Sequence, residues 1–123
     1  MTTTNDTPIQ AIPTIYRGIE FRSRMEAKCA ATLDRLEWKW QYEPFSVLLK
    51  GISYRPDFYI PDLALVVECR GYQNELGDEQ MRVFGEAVRS GLVVPGFGDI
   101  QWYLVYRPGT NQRISKAIPS GLL

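Results

Sequence analysis

The sequence contains no histidine. That absence removes Ser-His-Asp and Cys-His nucleophilic sites, histidine-ligated zinc and every metal-dependent hydrolase that relies on imidazole. Cysteine is scarce, with Cys29 and Cys69 alone, so neither a disulfide framework nor a thiolate metal cluster is available. No apolar run approaches the roughly 20 residues needed to span a bilayer, which excludes a membrane helix and makes the cytoplasm the expected setting. Net charge is missing too, with 14 basic residues set against 14 acidic ones. A protein that coats nucleic acid without discrimination is normally basic overall, so any polyanion would have to be met by a local patch. Chemistry in this chain falls to carboxylates, Lys and Arg, hydroxyls and backbone groups.

The 123 residues suit one core. Residues 1–13 are polar and proline-punctuated and are expected to be a flexible segment preceding a single domain over 14–123. Ser23-Arg24-Met25-Glu26 has the capping-box pattern and predicts a helix to about Leu36, with Met25, Cys29, Leu33 and Leu36 on its apolar stripe. Alternating Trp38 to Tyr42 predicts a strand, Phe45 to Leu49 another, with a turn at Lys50-Gly51. Two more strands are expected over 53–60 and 63–70, joined at Pro61-Asp62. Asp78 is expected to cap a second helix carrying Met81, Phe84 and Val88 inward and ending at Gly91. Residues 92–99 are expected as a loop and Ile100 to Tyr106 as a buried strand. The order predicts an α/β fold with a mixed central sheet flanked by helices.

The stretch from Tyr54 to Gly71, YRPDFYIPDLALVVECRG, places two acids and a guanidinium inside runs that otherwise suit burial. With Pro61-Asp62 in the middle of a two-residue turn, Ile60 faces Leu63 and Asp57 faces Val66. Side-chain alternation then sets Asp57, Val66, Glu68 and Arg70 on one side of the hairpin, and Phe58, Leu65, Val67 and Cys69 on the other. Asp57 and Glu68 become diagonal neighbours about 7–8 Å apart at Cα. A four-residue loop keeps the same parity. Two carboxylates so placed repel unless a cation joins them, and they can share one divalent ion. The same residues also suit a solvated strand face with Arg70 as a surface ion pair, and Asp62 is explained by its turn alone.

Pro56-Asp57, then Glu68-Cys69-Arg70 after ten intervening residues, resembles the PD-(D/E)XK nuclease signature, and the element order is similar to that family's αβββαβ restriction-endonuclease-like core. The resemblance covers about residues 16–106, and FRSRMEAK followed by YEPF is similar to small phage and bacterial members. It implies a metal-dependent DNA endonuclease in which Asp57 and Glu68 bind magnesium or manganese. Glu26 would add a ligand or hold a water, unless it serves only as the acid of the Ser23 capping box. Glu43 would contribute or simply end a strand. Arg70 stands where the family usually has lysine. It would hold a phosphate oxygen and stabilise developing charge, but an arginine cannot serve as a general base. The alternative is a catalytically inactive copy of the fold that binds nucleic acid or a protein partner. Arg17, Arg22, Arg24 and Lys28, close together near the first helix start, and Tyr72 and Gln73, after the last motif residue, are the expected nucleic-acid contacts. A chain of this size implies a homodimer or a protein partner for duplex cutting.

Overall fold

A computed structural model of the chain describes residues 12–70 and 75–106. Two strands, β1 (Thr14–Tyr16) and β2 (Ile19–Phe21), open it as a hairpin through Arg17-Gly18, both with positive φ. That hairpin was not expected from the sequence. It delivers Phe21 into the core and leads directly to α1 (Arg24–Arg35). Ser23 caps α1 by accepting the Glu26 N–H at 3.1 Å, as the capping pattern predicts. The helix ends in a Schellman arrangement, Glu37 N–H to Asp34 O at 2.9 Å and Trp38 N–H to Leu33 O at 3.1 Å, with Glu37 in the left-handed region usually given to glycine.

A four-stranded mixed sheet lies at the centre, in the order β10-β7-β6-β3. Its members are β3 (Gln41–Tyr42), β6 (Phe58–Ile60), β7 (Leu65–Cys69) and β10 (Trp102–Tyr106). The pairs β3–β6 and β6–β7 are antiparallel, while β7–β10 is parallel. Between the sheet strands run two small hairpins, β4 (Val47–Leu49) with β5 (Ile52–Tyr54), and β8 (Val93–Val94) with β9 (Gly98–Asp99). Lys50-Gly51 turns the first of these with φ of 52° and 77°, the geometry that matches strand twist in a two-residue loop. The crossover from β7 to the parallel β10 carries α2 (Glu75–Arg89).

Strand β7 is buried on both faces. Phe58, Ile60, Leu65, Val67 and Cys69 pack with Phe21 and the α1 residues Ala27, Cys29, Ala30 and Leu33. On the opposite face Tyr59 and Val66 pack with Phe84 and Val88 of α2, and with Tyr54, Val94 and Ile100. The two helices thus cover the two faces, and the alternation expected for the hairpin is observed.

Several boundaries differ from the sequence expectation, each for a physical reason. The expected strand over 53–60 divides at Arg55-Pro56-Asp57, where Pro56 has no N–H for a ladder and is itself fully buried. The Pro61-Asp62 turn is a four-residue one: Pro61–Leu63 form a 3₁₀ turn and Ala64 sits at φ 49°. Ile60 therefore pairs with Leu65, not Leu63. Continuing that register by one pair places Asp57 opposite Glu68 rather than Val66, so the acids are closer than diagonal neighbours. Asp78 does not cap α2. The helix begins at Glu75, and Asp78 lies exposed one turn in as a helical residue, next to the buried Gly77 that sits close against Arg70. Met81 is half-buried, whereas Phe84 and Val88 are buried as expected. Only Gln41 and Tyr42 of the Trp38–Tyr42 run join the sheet, and the expected loop at 92–99 contains the β8–β9 hairpin. Among the described residues no helix is long and apolar enough to cross a membrane. The expectation for residues 1–13 falls almost wholly outside the described residues.

Candidate metal and phosphate site

The expected acids meet in one cleft. It has a volume of about 710 Å³ and is lined by Glu26, Asp57, Glu68 and Arg70 together with Arg22 and Arg55. Asp57, immediately before β6, and Glu68, within β7, are both buried. Each carboxylate spends one oxygen on the fold. Asp57 Oδ2 accepts the Cys69 N–H at 2.8 Å, and Glu68 Oε1 accepts the Tyr54 hydroxyl at 2.5 Å. The other oxygen of each faces a cation at longer range. Asp57 Oδ1 lies 4.0 Å from Arg22 Nη2, and Glu68 Oε2 lies 3.6 Å from Arg70 Nη1. One oxygen per acid is anchored, and one remains available.

Burial pushes the Asp57 carboxyl up to about 8, and the neighbouring Glu68 and Glu26 charges push the same way against the Cys69 N–H and Arg22. Burial likewise raises Glu68, opposed by the Tyr54 hydroxyl and the Arg70 charge. The pair is an electrostatic well for a positive ion that two guanidiniums at 3.6–4.0 Å fill only in part.

Glu26, on α1, is buried at the edge of this well. Its Oε1 accepts the Tyr42 hydroxyl at 2.5 Å and the Arg22 N–H at 3.3 Å. Burial and that contact raise the Tyr42 phenol to about 12. Glu26 thus accepts the Arg22 N–H rather than the Ser23 N–H that a complete capping box would give it, and its carboxylate lines the cleft.

Arg70 is held at one end of the cleft. Its side chain is 16% exposed, and Nε and Nη2 are buried without a hydrogen-bond acceptor among the described residues. Buried guanidinium N–H groups normally find acceptors, and these two donors are chemically able to bond the oxygens of an anion.

The basic residues expected to act together are dispersed. Arg22 lines the cleft. Arg17 pairs with Asp34 at 3.0 Å in a separate groove beside Trp38 and Trp40. Lys28 borders a third groove with Arg35 and Tyr106, and Arg24 is exposed in the first turn of α1. Tyr72 and Gln73 lie outside the described residues. The aromatic residues Trp38, Trp40 and Trp102 pack against the core rather than forming an open stacking surface.

Sequence reasoning missed Tyr54 and Arg55. Tyr54 is buried under Glu68, and its hydroxyl also meets that of Tyr103 at 3.0 Å, a relation that depends on the β4–β5 hairpin folding back over the sheet. Arg55 was legible only as a charge placed before Pro56-Asp57. Glu43 pairs with both Arg22 and Arg55.

Among the described residues, no group of three His, Cys, Asp or Glu side chains is arranged to hold a metal ion as it stands. The donor chemistry nevertheless fits a hard divalent cation. Two carboxylates each offer one free oxygen into an open cleft, and magnesium typically takes one or two carboxylates and retains water. No family model matches the chain, and neither the curated proteins nor the solved structures contain a match to it.

Proposed function

We propose that the protein is a metal-dependent phosphodiesterase acting on nucleic acid, a DNA endonuclease of PD-(D/E)XK type with a restriction-endonuclease-like core. One observation carries this reading. Asp57, just before β6, and Glu68 of β7 line one cleft, each with one oxygen tied to the fold and the other turned toward a guanidinium, in the company of a donor-rich Arg70. A structural ion pair would satisfy its guanidinium and would not bury two like charges together.

Asp57 and Glu68 would hold magnesium or manganese through Oδ1 and Oε2. Such an ion supplies charge neutralisation at the phosphoryl oxygens and lowers the pKa of water. The chain's own residues do the rest. The Cys69 N–H and the Tyr54 hydroxyl fix the carboxylate orientations, and Glu26 adds negative charge that favours the cation and can hold a water. Arg70 directs its unused N–H groups at a phosphate oxygen and stabilises the charge that grows there. Arg70 does not remove a proton.

Cleavage of labelled DNA with magnesium or manganese tests the reading. Wild-type protein is expected to cut, while Asp57→Asn and Glu68→Gln, both folded by circular dichroism, lose activity. Equal activity in these variants and the wild type overturns it. The fixed charge of Arg70 favours a second reading, an inactive nuclease-like protein that binds nucleic acid. Metal-independent binding without cleavage would select that one.

A further inference from the structure

The acid pair has a second basic flank, opposite Arg70. Glu43 follows β3 and donates its N–H to the Asp57 carbonyl at 2.8 Å, but its own φ is 47°. The other four non-glycine residues with positive φ lie in turns or at helix ends. At Glu43 the left-handed backbone instead bends the strand exit beside the cleft, a cost of order 1–3 kcal/mol that tends to be retained at functional sites. The Glu43 carboxylate is 19% exposed, and one oxygen, Oε2, serves two guanidiniums, Arg22 Nη2 at 2.5 Å and Arg55 Nε at 3.7 Å. Neither approach is directed as a hydrogen bond, so Oε2 attracts them by charge alone. Arg22 and Arg55 are 56% and 50% exposed, and both line the same cleft as Asp57 and Glu68. Arg22 also faces Asp57 Oδ1 at 4.0 Å, so Glu43 and Asp57 share it, whereas Arg55 is paired with Glu43 at the longer 3.7 Å and half exposed to the cleft.

We infer that Arg22 and Arg55, gathered by Glu43, form a second phosphate-binding point, so that the substrate is a strand continuing past the scissile phosphodiester rather than an isolated ester. This deepens the nuclease reading and rests on it. The cleft runs from Arg70 through Glu68 and Asp57 to the two arginines, which places an anion site on each side of the acids. Polynucleotide backbone has the matching periodicity of charge, with a neighbouring phosphate available to the second site whenever the first is engaged. Glu43 is a positioning residue here. Its buried oxygen holds the two guanidiniums near each other without satisfying their donors.

The test combines binding and turnover. Binding of a fluorescein-labelled single-stranded oligodeoxynucleotide is followed by anisotropy against salt in a cleavage-silent Glu68→Gln background. Each phosphate contact on a single strand contributes about 0.7 to the log–log salt slope. Arg55→Ala and Arg22→Ala are each expected to make the slope shallower by about that amount, while Arg89→Ala, in the last turn of α2, leaves it unchanged. In the active background Arg55→Ala is expected to raise KM for the oligonucleotide with little change in kcat. Hydrolysis of bis(p-nitrophenyl) phosphate, which has no neighbouring phosphate, is expected to fall less in Arg55→Ala than cleavage of the oligonucleotide does. Arg55→Ala keeps the Arg22–Glu43 pair, so it remains informative if Arg22→Ala unfolds. An unchanged slope and KM in Arg55→Ala, with wild-type cleavage intact, overturns the second phosphate point and leaves the nuclease reading standing. A wild-type protein that neither binds nor cuts the oligonucleotide removes both.

Discussion

The guanidinium of Arg70 occupies the space where residue 77 would carry a Cβ. An atom built there would lie 2.5 Å from Arg70 Cζ and 2.8 Å from Nη1, and closer still to Nη2. Gly77 is buried within α2, where glycine is ordinarily unfavourable by about 0.5–1 kcal/mol relative to alanine. The close approach explains its presence. The helix is packed onto the arginine that closes one end of the cleft.

Gly77→Ala is therefore expected to separate stability from activity. The clash is with the far end of a long side chain, so the fold adapts and the melting temperature holds or rises slightly. Arg70 is displaced, and cleavage falls by about 10²-fold, the usual cost of losing one preorganised donor. Gly77→Ala combined with Arg70→Ala should be no worse than Arg70→Ala alone. Additive losses in that double-mutant cycle would show that Gly77 acts elsewhere.

Burial and the neighbouring acids give the metal-free protein an inverted pH response. Asp57 is raised to about 8 when folded, from the ordinary carboxylate value, and Glu68 is raised as well. Between the unfolded and folded pKa values the unfolded chain has lost protons that the folded chain retains. The stability that these two groups contribute is then fully present below about pH 4 and declines as pH rises toward 8. Thermal melts in EDTA are expected to show a higher midpoint at pH 5 than at pH 8. Asp57→Asn should flatten this slope and be more stable than wild type at pH 8. A midpoint that rises with pH would mean that the acids are stabilised in their charged forms.

Much of this arrangement was legible because it depends on local rules. The Ser23 cap, the Lys50-Gly51 turn and the period-two alternation of 57–60 and 65–70 are set by neighbouring residues, and the parity that joins Asp57 to Glu68 survived a turn of different length. What was not legible depends on tertiary packing. The close approach of Gly77 in α2 to the Arg70 guanidinium is one such feature, and Asp78 lies inside the helix rather than at its cap. The short β1–β2 hairpin has too few alternating residues to stand out, yet it anchors Phe21 among Trp40, Tyr42 and Phe58. The roles of Tyr54 and Glu43 follow from distances across the cleft, which spacing along the chain does not encode.

Tyr54 supports Glu68 from below, and removing its hydroxyl leaves a buried carboxylate oxygen without its donor. Tyr54→Phe is expected to lower stability by about 1–3 kcal/mol at pH 8, where Glu68 is more ionised, and by less at pH 5. The Glu68 carboxyl should titrate at still higher pH, since the Tyr54 hydrogen bond opposes its elevation. Tyr103→Phe, whose hydroxyl hydrogen-bonds that of Tyr54, should have the smaller effect. Equal losses at both pH values would reduce the hydroxyl to a packing role.

The position of Arg70 leads to a direct test of what the arginine contributes. Its guanidinium lies 3.6 Å from Glu68 Oε2, at the range where a lysine ammonium would also be drawn toward the acid pair. Arginine holds its proton throughout the accessible pH range, whereas a partly desolvated lysine can release one. General-base assistance is typically worth about 10²–10⁴-fold, and the loss of a planar phosphate contact opposes it. Arg70→Lys is expected to cut DNA faster than wild type with magnesium or manganese and to gain an ascending limb in its pH–rate profile that the wild type lacks. A faster wild type would show instead that the two buried donors Nε and Nη2 hold the phosphate in a way lysine cannot reproduce. If neither form cuts with either metal while Asp57→Ala still binds DNA, the cleft is a binding site alone. The acids would then serve to orient Arg22 and Arg70 around a phosphate, and the chemistry assigned to them would fall.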